Sequence, residues 1–436
     1  MTFDQGCALA VLAAVMAALI WNRMRADVVA LAGAAALLGL GVIRPVEAQG
    51  AFASPALIAL ASLFVIAYAM ELSGLLDLLI RAGVRLCGRM GAAGLWLMIA
   101  FCGVVSAFLN NTPIVVLAAP VVRDVAASLK LPPQRFLIPL SYVTILGGCC
   151  TLIGTSTNLL VNDMARSAGQ PGFGLFDITP VAVIVAAVGG LYLVLVAPRL
   201  LRDRDGAEAP SVAQALEDAA SSRDVAVGDA SLFIERRPLD LRRGLASLGV
   251  FVAVVAISAL GYAPIAAAAF TGAVGLILAR VISADDAYRG LRPEILILIA
   301  GMVVVGLSLE VTGLAAAATD RLASLVQGLG PHLALGLFYV IALVLTEILS
   351  NAAVAVLMTP VAVALAESLG VSPQPFLVGL MLAASAAFAT PFGYQTNVLV
   401  FEMGRYSYMD FVRIGLPLNV VTGVTAVLTV PAFFPF

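Results

Sequence analysis

Residues 106–114 read Ser-Ala-Phe-Leu-Asn-Asn-Thr-Pro-Ile, and residues 346–354 read Thr-Glu-Ile-Leu-Ser-Asn-Ala-Ala-Val. In both, a polar tip interrupts an apolar run. Arms 92–109 and 114–127 flank Asn110-Asn111-Thr112-Pro113, and arms 333–349 and 352–366 flank Ser350-Asn351. An arm of about fifteen residues is short for about 30 Å of hydrocarbon, and lipid does not tolerate the unpaired amides and backbone groups of such a tip. Each pair of arms therefore reads as a re-entrant hairpin rather than as two crossings.

Outward from the hairpins the chain is apolar nearly throughout. Of 436 residues 62% are hydrophobic and 11% charged, with a mean hydropathy of +1.06. That composition excludes a soluble enzyme and places the chain in the lipid bilayer. Spans are predicted near 6–20, 26–43, 55–72, 136–153, 178–198, 244–260, 263–282, 293–311, 375–392 and 414–434. The expected fold is all-α and polytopic, with about ten transmembrane helices plus the two hairpins. Asp4 and the lack of a base before the first apolar run argue for a retained span rather than a signal peptide. A net charge of −2 without a basic patch removes nucleic acid as a partner. With His332 as the one histidine and five scattered cysteines, neither a zinc site, nor a disulfide framework, nor an enzyme's nucleophile, base and orienter is indicated.

Lys and Arg mark the cytoplasmic side. With the N-terminus outside, 21 of the 24 basic residues fall on cytoplasmic segments, leaving Arg44, Arg166 and Arg321. The chain is thus expected in the plasma (inner) membrane with both termini extracytoplasmic. An internal repeat then appears. At an offset of 239, Glu71-Leu72-Ser73-Gly74-Leu75 recurs as Glu310-Val311-Thr312-Gly313-Leu314, and Gly154-Thr155-Ser156-Thr157-Asn158 meets Gly393-Tyr394-Gln395-Thr396-Asn397. At 240, Asn110-Asn111 meets Ser350-Asn351, and Pro133-Gln134 meets Pro373-Gln374. Five crossings per unit is odd, so the halves are inverted: residues 1–201 and 244–436, joined by a cytoplasmic linker at 202–243. Segments 75–88 and 314–327 read as interfacial. Inverted repeats with interrupted helices are the architecture of secondary transporters.

Four polar clusters carry the chemistry: Asn110-Asn111-Thr112, Thr155-Ser156-Thr157-Asn158, Ser350-Asn351, and Thr390 with Gln395-Thr396-Asn397. A helix break frees carbonyls toward a cation and N–H groups toward an anion. The competing reading is that such residues only bind helices together. No Lys or Arg lies in these clusters, so a bound dianion needs a co-bound cation to offset its charge. Glu347, one helical turn before Asn351, is either a coupling acid or a hydrogen-bonded carboxyl holding its hairpin. Glu71 and Glu310 read as structural caps, Cys149-Cys150 as small packing residues, and His332 as a bystander.

At these residues the chain resembles the divalent anion/sodium symporter family. That family has Ser-Asn-Thr at each tip; here the tips read Asn110-Asn111-Thr112 and Ser350-Asn351-Ala352. The family's Gly-Thr-x-x-Asn break is matched by Gly154, Thr155 and Asn158, and partly by Gly393 and Asn397, with Tyr394 where threonine is expected. The stretch is most similar to the permease branch that carries paired TrkA C-terminal-type domains between the halves; here the short linker replaces them.

The resemblance implies a homodimer with an elevator-type mobile domain, Na+ as coupling ion, no other cofactor, and a small inorganic or dicarboxylate anion as substrate. It implies Na+ at Asn111, Gly154, Thr155 and Asn158, and at Asn351, Gly393 and Asn397. The anion would meet Asn110, Asn111, Thr112, Ser156, Thr157, Ser350, Asn351, Thr390, Gln395 and Thr396. Asn111, Thr112, Thr155 and Asn158 would form one half-site, and Ser350, Asn351, Thr396 and Asn397 the other. The leading expectation is cation-coupled symport of sulfate or a C4 dicarboxylate. The alternatives are a Na+/H+ antiporter or arsenite-type exporter, and a passive channel or sensor.

Overall fold

The structure is a computed structural model, and it describes residues 2–21, 24–76, 78, 90–201, 239–314 and 330–436. Most of the expected interfacial segments 75–88 and 314–327 and most of the linker lie outside the described residues. In chain order the first half contributes α1 (Phe3–Trp21), α2 (Ala26–Gly39), α3 (Pro45–Phe52), α4 (Pro55–Leu72), α5 (Ala92–Ser106), α6 (Asn111–Ser128), α7 (Gln134–Gly148), α8 (Ser156–Ser167) and α9 (Thr179–Leu200). The second half repeats that order: α10 (Leu241–Ala259), α11 (Ile265–Leu278), α12 (Ala284–Gly290), α13 (Pro293–Val311), α14 (Pro331–Thr346), α15 (Asn351–Ser368), α16 (Gln374–Ser385), α17 (Gln395–Gly404) and α18 (Tyr408–Phe433). No strand occurs among the described residues.

Local chemistry sets these boundaries. Ser54 caps α4 by accepting from the Leu57 amide at 3.3 Å, with Pro55 pre-set for the first turn. Asn110 and Ser350 cap α6 and α15 through the Thr112 and Ala353 amides, at 3.2 and 3.3 Å. The tip residues are therefore polar because they satisfy otherwise orphaned helix N–H groups. Asp240 caps α10 through Arg243 at 3.1 Å, so this helix begins at Leu241, inside the stretch expected as linker.

Six segments among the described residues are long and apolar enough to cross a bilayer: Pro45–Leu72, Thr179–Leu200, Leu241–Ala259, Pro293–Val311, Asn351–Ser368 and Tyr408–Phe433. Asn351–Ser368 is the hairpin arm expected at 352–366, lengthened to 18 residues, so its length alone does not forbid a crossing. Six further apolar helices are shorter. Two expected spans end early, at Gly148 rather than 153 and at Ser385 rather than 392. Apolar sequence continues past both points, but the backbone unwinds and its polar groups bond to side chains instead, those of Asn158 and Thr179 in the first half and of Asn397, Tyr142 and Glu347 in the second.

Packing is reciprocal between the halves. Helix α2 lies against α13 and α11 against α4, while α9 lies against α18. These pairs divide the molecule into one body of α1–α4 with α10–α13 and another of α5–α9 with α14–α18. The two bodies meet closely where α13 packs on α15 and α4 packs on α8. Gly306 makes the first contact possible, since a methyl there would lie 2.6 Å from Val356 Cγ1.

Candidate functional site

The two helix breaks repeat one hydrogen-bond circuit. In the first, Thr151 donates its hydroxyl to the Ala107 carbonyl of the neighbouring tip. Its Oγ1 accepts from the Gly154 amide at 3.1 Å, and its own carbonyl accepts from Asn158 Nδ2 at 2.9 Å. In the second, Thr390 donates to Glu347 Oε2 at 2.8 Å and accepts from the Gly393 amide at 3.1 Å. Asn397 Nδ2 there donates to the Thr390 carbonyl at 3.3 Å and to the Ala387 carbonyl at 2.9 Å. The Glu347 carboxylate thus stands where the first half uses a backbone carbonyl. Its Oε1 also accepts from the Ala389 amide at 2.7 Å and from Asn419 Nδ2 at 2.8 Å, tying the second tip, the second break and α18 together.

Within each tip the arms are fastened alike. Ser106 Oγ donates to Asn111 Oδ1 at 2.6 Å, and Thr346 Oγ1 to Asn351 Oδ1 at 2.8 Å. Other bonds cross between halves. Asn111 Nδ2 donates to the Tyr394 hydroxyl at 2.9 Å, and Thr112 Oγ1 to Gln395 Oε1 at 3.1 Å. The Ser141 hydroxyl lies 2.8 Å from Thr396 Oγ1 and 2.7 Å from Asn397 Oδ1. The structure therefore places Asn111 beside the first break, where a methyl on Gly148 would sit 2.7 Å from its Oδ1, while Thr112 turns to the second half. Thr155 Oγ1 lies 3.5 Å from Thr157 Oγ1. Ser350 and Asn351 bond within their own tip, whereas Thr396 and Asn397 bond to α7 of the other half.

Between α4 and the first tip runs an open crevice of about 520 Å³, its solvent-open mouth included. Its wall is apolar, with Leu60, Leu63, Phe64 and Ala67 of α4 and Phe251 of α10. Its floor carries the polar residues Asn110, Gly154, Thr155, Ser156 and Tyr394 beside Phe108, Leu109 and Ile153, and among the described residues no Lys or Arg lines it. Under this floor Asn158 is fully buried, and its Oδ1 has no hydrogen-bond partner, unlike Asn397 Oδ1 at the equivalent position. The carbonyls of Gly148 and Ala107 crowd the α-carbon of Gly154, where any side chain would strike them. A buried orphan acceptor among neutral carbonyl and hydroxyl oxygens fits a hard cation of low charge. Among the described residues no group of three His, Cys, Asp or Glu side chains could hold a transition metal.

Several residues play parts that single polar positions in the sequence did not announce. Asp163 on α8 is hydrogen-bonded to the Ser54 side chain and the Ala56 amide at the start of α4, joining the two bodies. Ser141 and Asn419 are polar residues within largely apolar helices, a signal open to reading but with no partner visible in sequence. Of the remaining candidates, Glu310 keeps a buried Oε1 without a hydrogen-bond partner, and His332 packs edge-on against Phe436, ring centroids 4.9 Å apart. Neither lines the crevice, nor do Glu71 and the buried pair Cys149-Cys150, although the Cys149 carbonyl lies 3.4 Å from Asn158 Nδ2 beneath its floor.

A repeat of apolar helices with paired tips and paired breaks defines a multi-pass membrane transporter. A sequence model of the citrate transporter family (CitMHS) matches residues 16–371, and the chain belongs to that family. It is 26% identical to the uncharacterized transporter sll0640 of Synechocystis sp., over 95% of this chain and 94% of that one. That alignment runs to 582 positions, so the relative carries residues that this chain lacks. The chain is also 34% identical to sodium/sulfate cotransporter 1 of Chlamydomonas reinhardtii, over 33% of this chain and 17% of that protein. The fold is similar to that of the Alcanivorax borkumensis YdaH transporter, with a TM-score of 0.60 at 16% identity over 97% of this chain and 98% of that one.

Proposed function

We propose that the chain is a secondary active transporter that carries a small divalent anion, sulfate or a C4 dicarboxylate, in symport with Na+. The observation that carries this reading is the orphaned, fully buried Asn158 Oδ1 beneath a crevice floor that has polar groups but, among the described residues, no cationic side chain. A dianion on that floor meets only dipoles, hydroxyls and amides, and a sodium ion at Asn158, Gly154, Thr155 and Asn111 supplies the missing positive charge. The two ligands then bind cooperatively, which is what coupling requires. The similarity to a sodium/sulfate cotransporter supports the same ion pair.

Alternating access follows from an asymmetry in the repeat. Helix α4 packs on α8 and α13 on α15, but the repeat-related pairs, α13 with α17 and α4 with α6, do not pack closely among the described residues. Exchanging the two arrangements would close the crevice beside α4 and open its counterpart beside α13. In this reading the body of α5–α9 and α14–α18 is the elevator, the tips are re-entrant, and the other body is the scaffold of a homodimer in the plasma membrane.

The test is uptake of labelled sulfate and labelled succinate by purified protein in liposomes, under an inward Na+ gradient, with K+ replacing Na+, and under a pH gradient alone. Sodium-dependent uptake of either anion is expected. Uptake indifferent to sodium and driven by the pH gradient would favour the antiporter or exporter reading.

A further inference from the structure

Tyr394 and Thr155 are repeat counterparts and sit on nearly the same backbone. Thr155 precedes α8 with φ −136° and ψ 144°, and Tyr394 precedes α17 with φ −146° and ψ 142°. The difference between the two positions is therefore confined to the side chain. Thr155 brings one hydroxyl to the crevice floor. Tyr394 brings its hydroxyl to the same floor on the end of a phenyl ring, and both residues line the crevice. The Tyr394 oxygen is held by Asn111 Nδ2 at 2.9 Å and is hydrogen-bonded to Thr155, so the ring is anchored at its far end to the first tip and the first break.

Resting on the anion-transport reading, we propose that Tyr394 sets the length limit of the transported anion, admitting a compact tetrahedral oxyanion and excluding a C4 dicarboxylate. The chemistry is that of a partition. A tetrahedral oxyanion presents acceptors in all directions from one centre, so one cluster of donors around Asn110, Thr155, Ser156 and the Tyr394 hydroxyl satisfies it. A C4 dicarboxylate needs two such clusters separated by its carbon chain. The ring runs from the start of α17 in the second half to Asn111 and Thr155 in the first and so occupies the volume between them. Its apolar edge gives a second carboxylate no donor, which leaves that charge desolvated and unpaired. A threonine there, as at position 155, would leave the space open and supply a second hydroxyl.

Sulfate and succinate uptake are compared in liposomes for wild type, Tyr394→Thr and Tyr394→Phe. Wild type is expected to prefer sulfate by at least tenfold. Tyr394→Thr is expected to lower that preference at least tenfold, and Tyr394→Phe to keep it within about twofold while weakening sulfate binding. An unchanged preference in folded Tyr394→Thr overturns the proposal. Should that variant fail to fold, thermal stabilisation of wild type by sulfate, oxalate, malonate and succinate replaces it, with the shift expected to fall as the anion lengthens. Equal shifts with sulfate and succinate overturn the length limit alone; no response to any anion overturns the transport reading and the limit with it.

Discussion

Thr390 donates its hydroxyl to Glu347 Oε2 at 2.8 Å, at the place where Thr151 in the other half donates to the backbone carbonyl of Ala107. The carboxylate enlarges a bond that the first half makes with its main chain, and it gathers two more donors from Ala389 and Asn419. All three donors are neutral. Glutamine at 347 keeps one acceptor and turns an NH2 group toward a donor, which leaves a buried N–H or O–H unsatisfied at a cost of about 1–3 kcal/mol. Glu347→Gln is expected to lower the thermal unfolding midpoint in detergent and to abolish uptake, and Glu347→Ala to do so more severely. A Glu347→Gln protein of wild-type stability that lost only pH-gradient-driven uptake would make this carboxyl a proton carrier instead.

Asn158 and Asn397 are equivalent, yet only Asn397 has its Oδ1 occupied, by the Ser141 hydroxyl at 2.7 Å. If the vacant acceptor serves sodium, the ion stabilises the folded state by mass action, by about 2.7 kcal/mol at a hundredfold excess over Kd. Sodium is expected to raise the unfolding midpoint of wild type relative to potassium at equal ionic strength. Asn158→Ala should lose most of that increment, and Ser141→Ala, which vacates only the second-half acceptor, should retain it. Equal shifts in wild type and Asn158→Ala would remove Asn158 from the cation site.

Asp163 offers a handle on the two-body arrangement, because its bonds to Ser54 and Ala56 join α8 to the start of α4 in the present conformation. Deleting a side chain that caps helix N–H groups costs about 1 kcal/mol, a factor of about five in the ratio of two states when only one contains the contact. Asp163→Ala is expected to shift the population toward the arrangement in which the crevice beside α4 is closed. A cysteine at Ala67, which lines that crevice, should then react several-fold more slowly with a membrane-permeant maleimide. Unchanged or faster labelling would show that this bond does not hold the crevice open.

The helices and the repeat were legible because hydropathy and caps are local. Asn110 and Ser350 interrupt apolar runs where a helix must start, and the matched offsets of 239 and 240 recur as the matched helix orders α1–α9 and α10–α18. The break positions were less legible. Residues 149–153 and 386–392 are as apolar as the helices before them, and hydropathy reports burial, not backbone dihedrals. The bond from Asn111 to Tyr394 spans 283 residues and has no sequence signal, so half-sites read from sequence stay within each repeat while several of the observed bonds cross between them. Glu347 was visible as an intramembrane acid facing Ala107 in the repeat; its three donors were not, because the Ala389 amide belongs to main chain that hydropathy reads as helix.

Backbone caps make a prediction about which side of the membrane each half faces. Gly370 ends α15 with φ +66°, and its counterpart Lys130 ends α6 with φ +55°. Gly41 follows α2 with φ +73°, and its counterpart Arg280 follows α11 with φ +54°. The equivalent helices α8 and α17 also end on a left-handed residue, Gly169 with φ +76° and Arg405 with φ +47°, though these two are 236 residues apart rather than 239. Each place calls for a left-handed residue, which glycine adopts freely and any other L-residue adopts at roughly 1 kcal/mol or more. In all three pairs one copy bears that cost and carries Lys or Arg. Caps have no use for a basic group on one copy alone, but the excess of positive charge on cytoplasmic loops does. Lys130, Arg280 and Arg405 are therefore expected inside, with Gly370, Gly41 and Gly169 outside, as inverted halves require. In intact cells a membrane-impermeant maleimide should label a cysteine at Gly370 and reach one at Lys130 only after lysis. Labelling of both from the same side would contradict the inversion, and the reverse pattern would turn the whole molecule over.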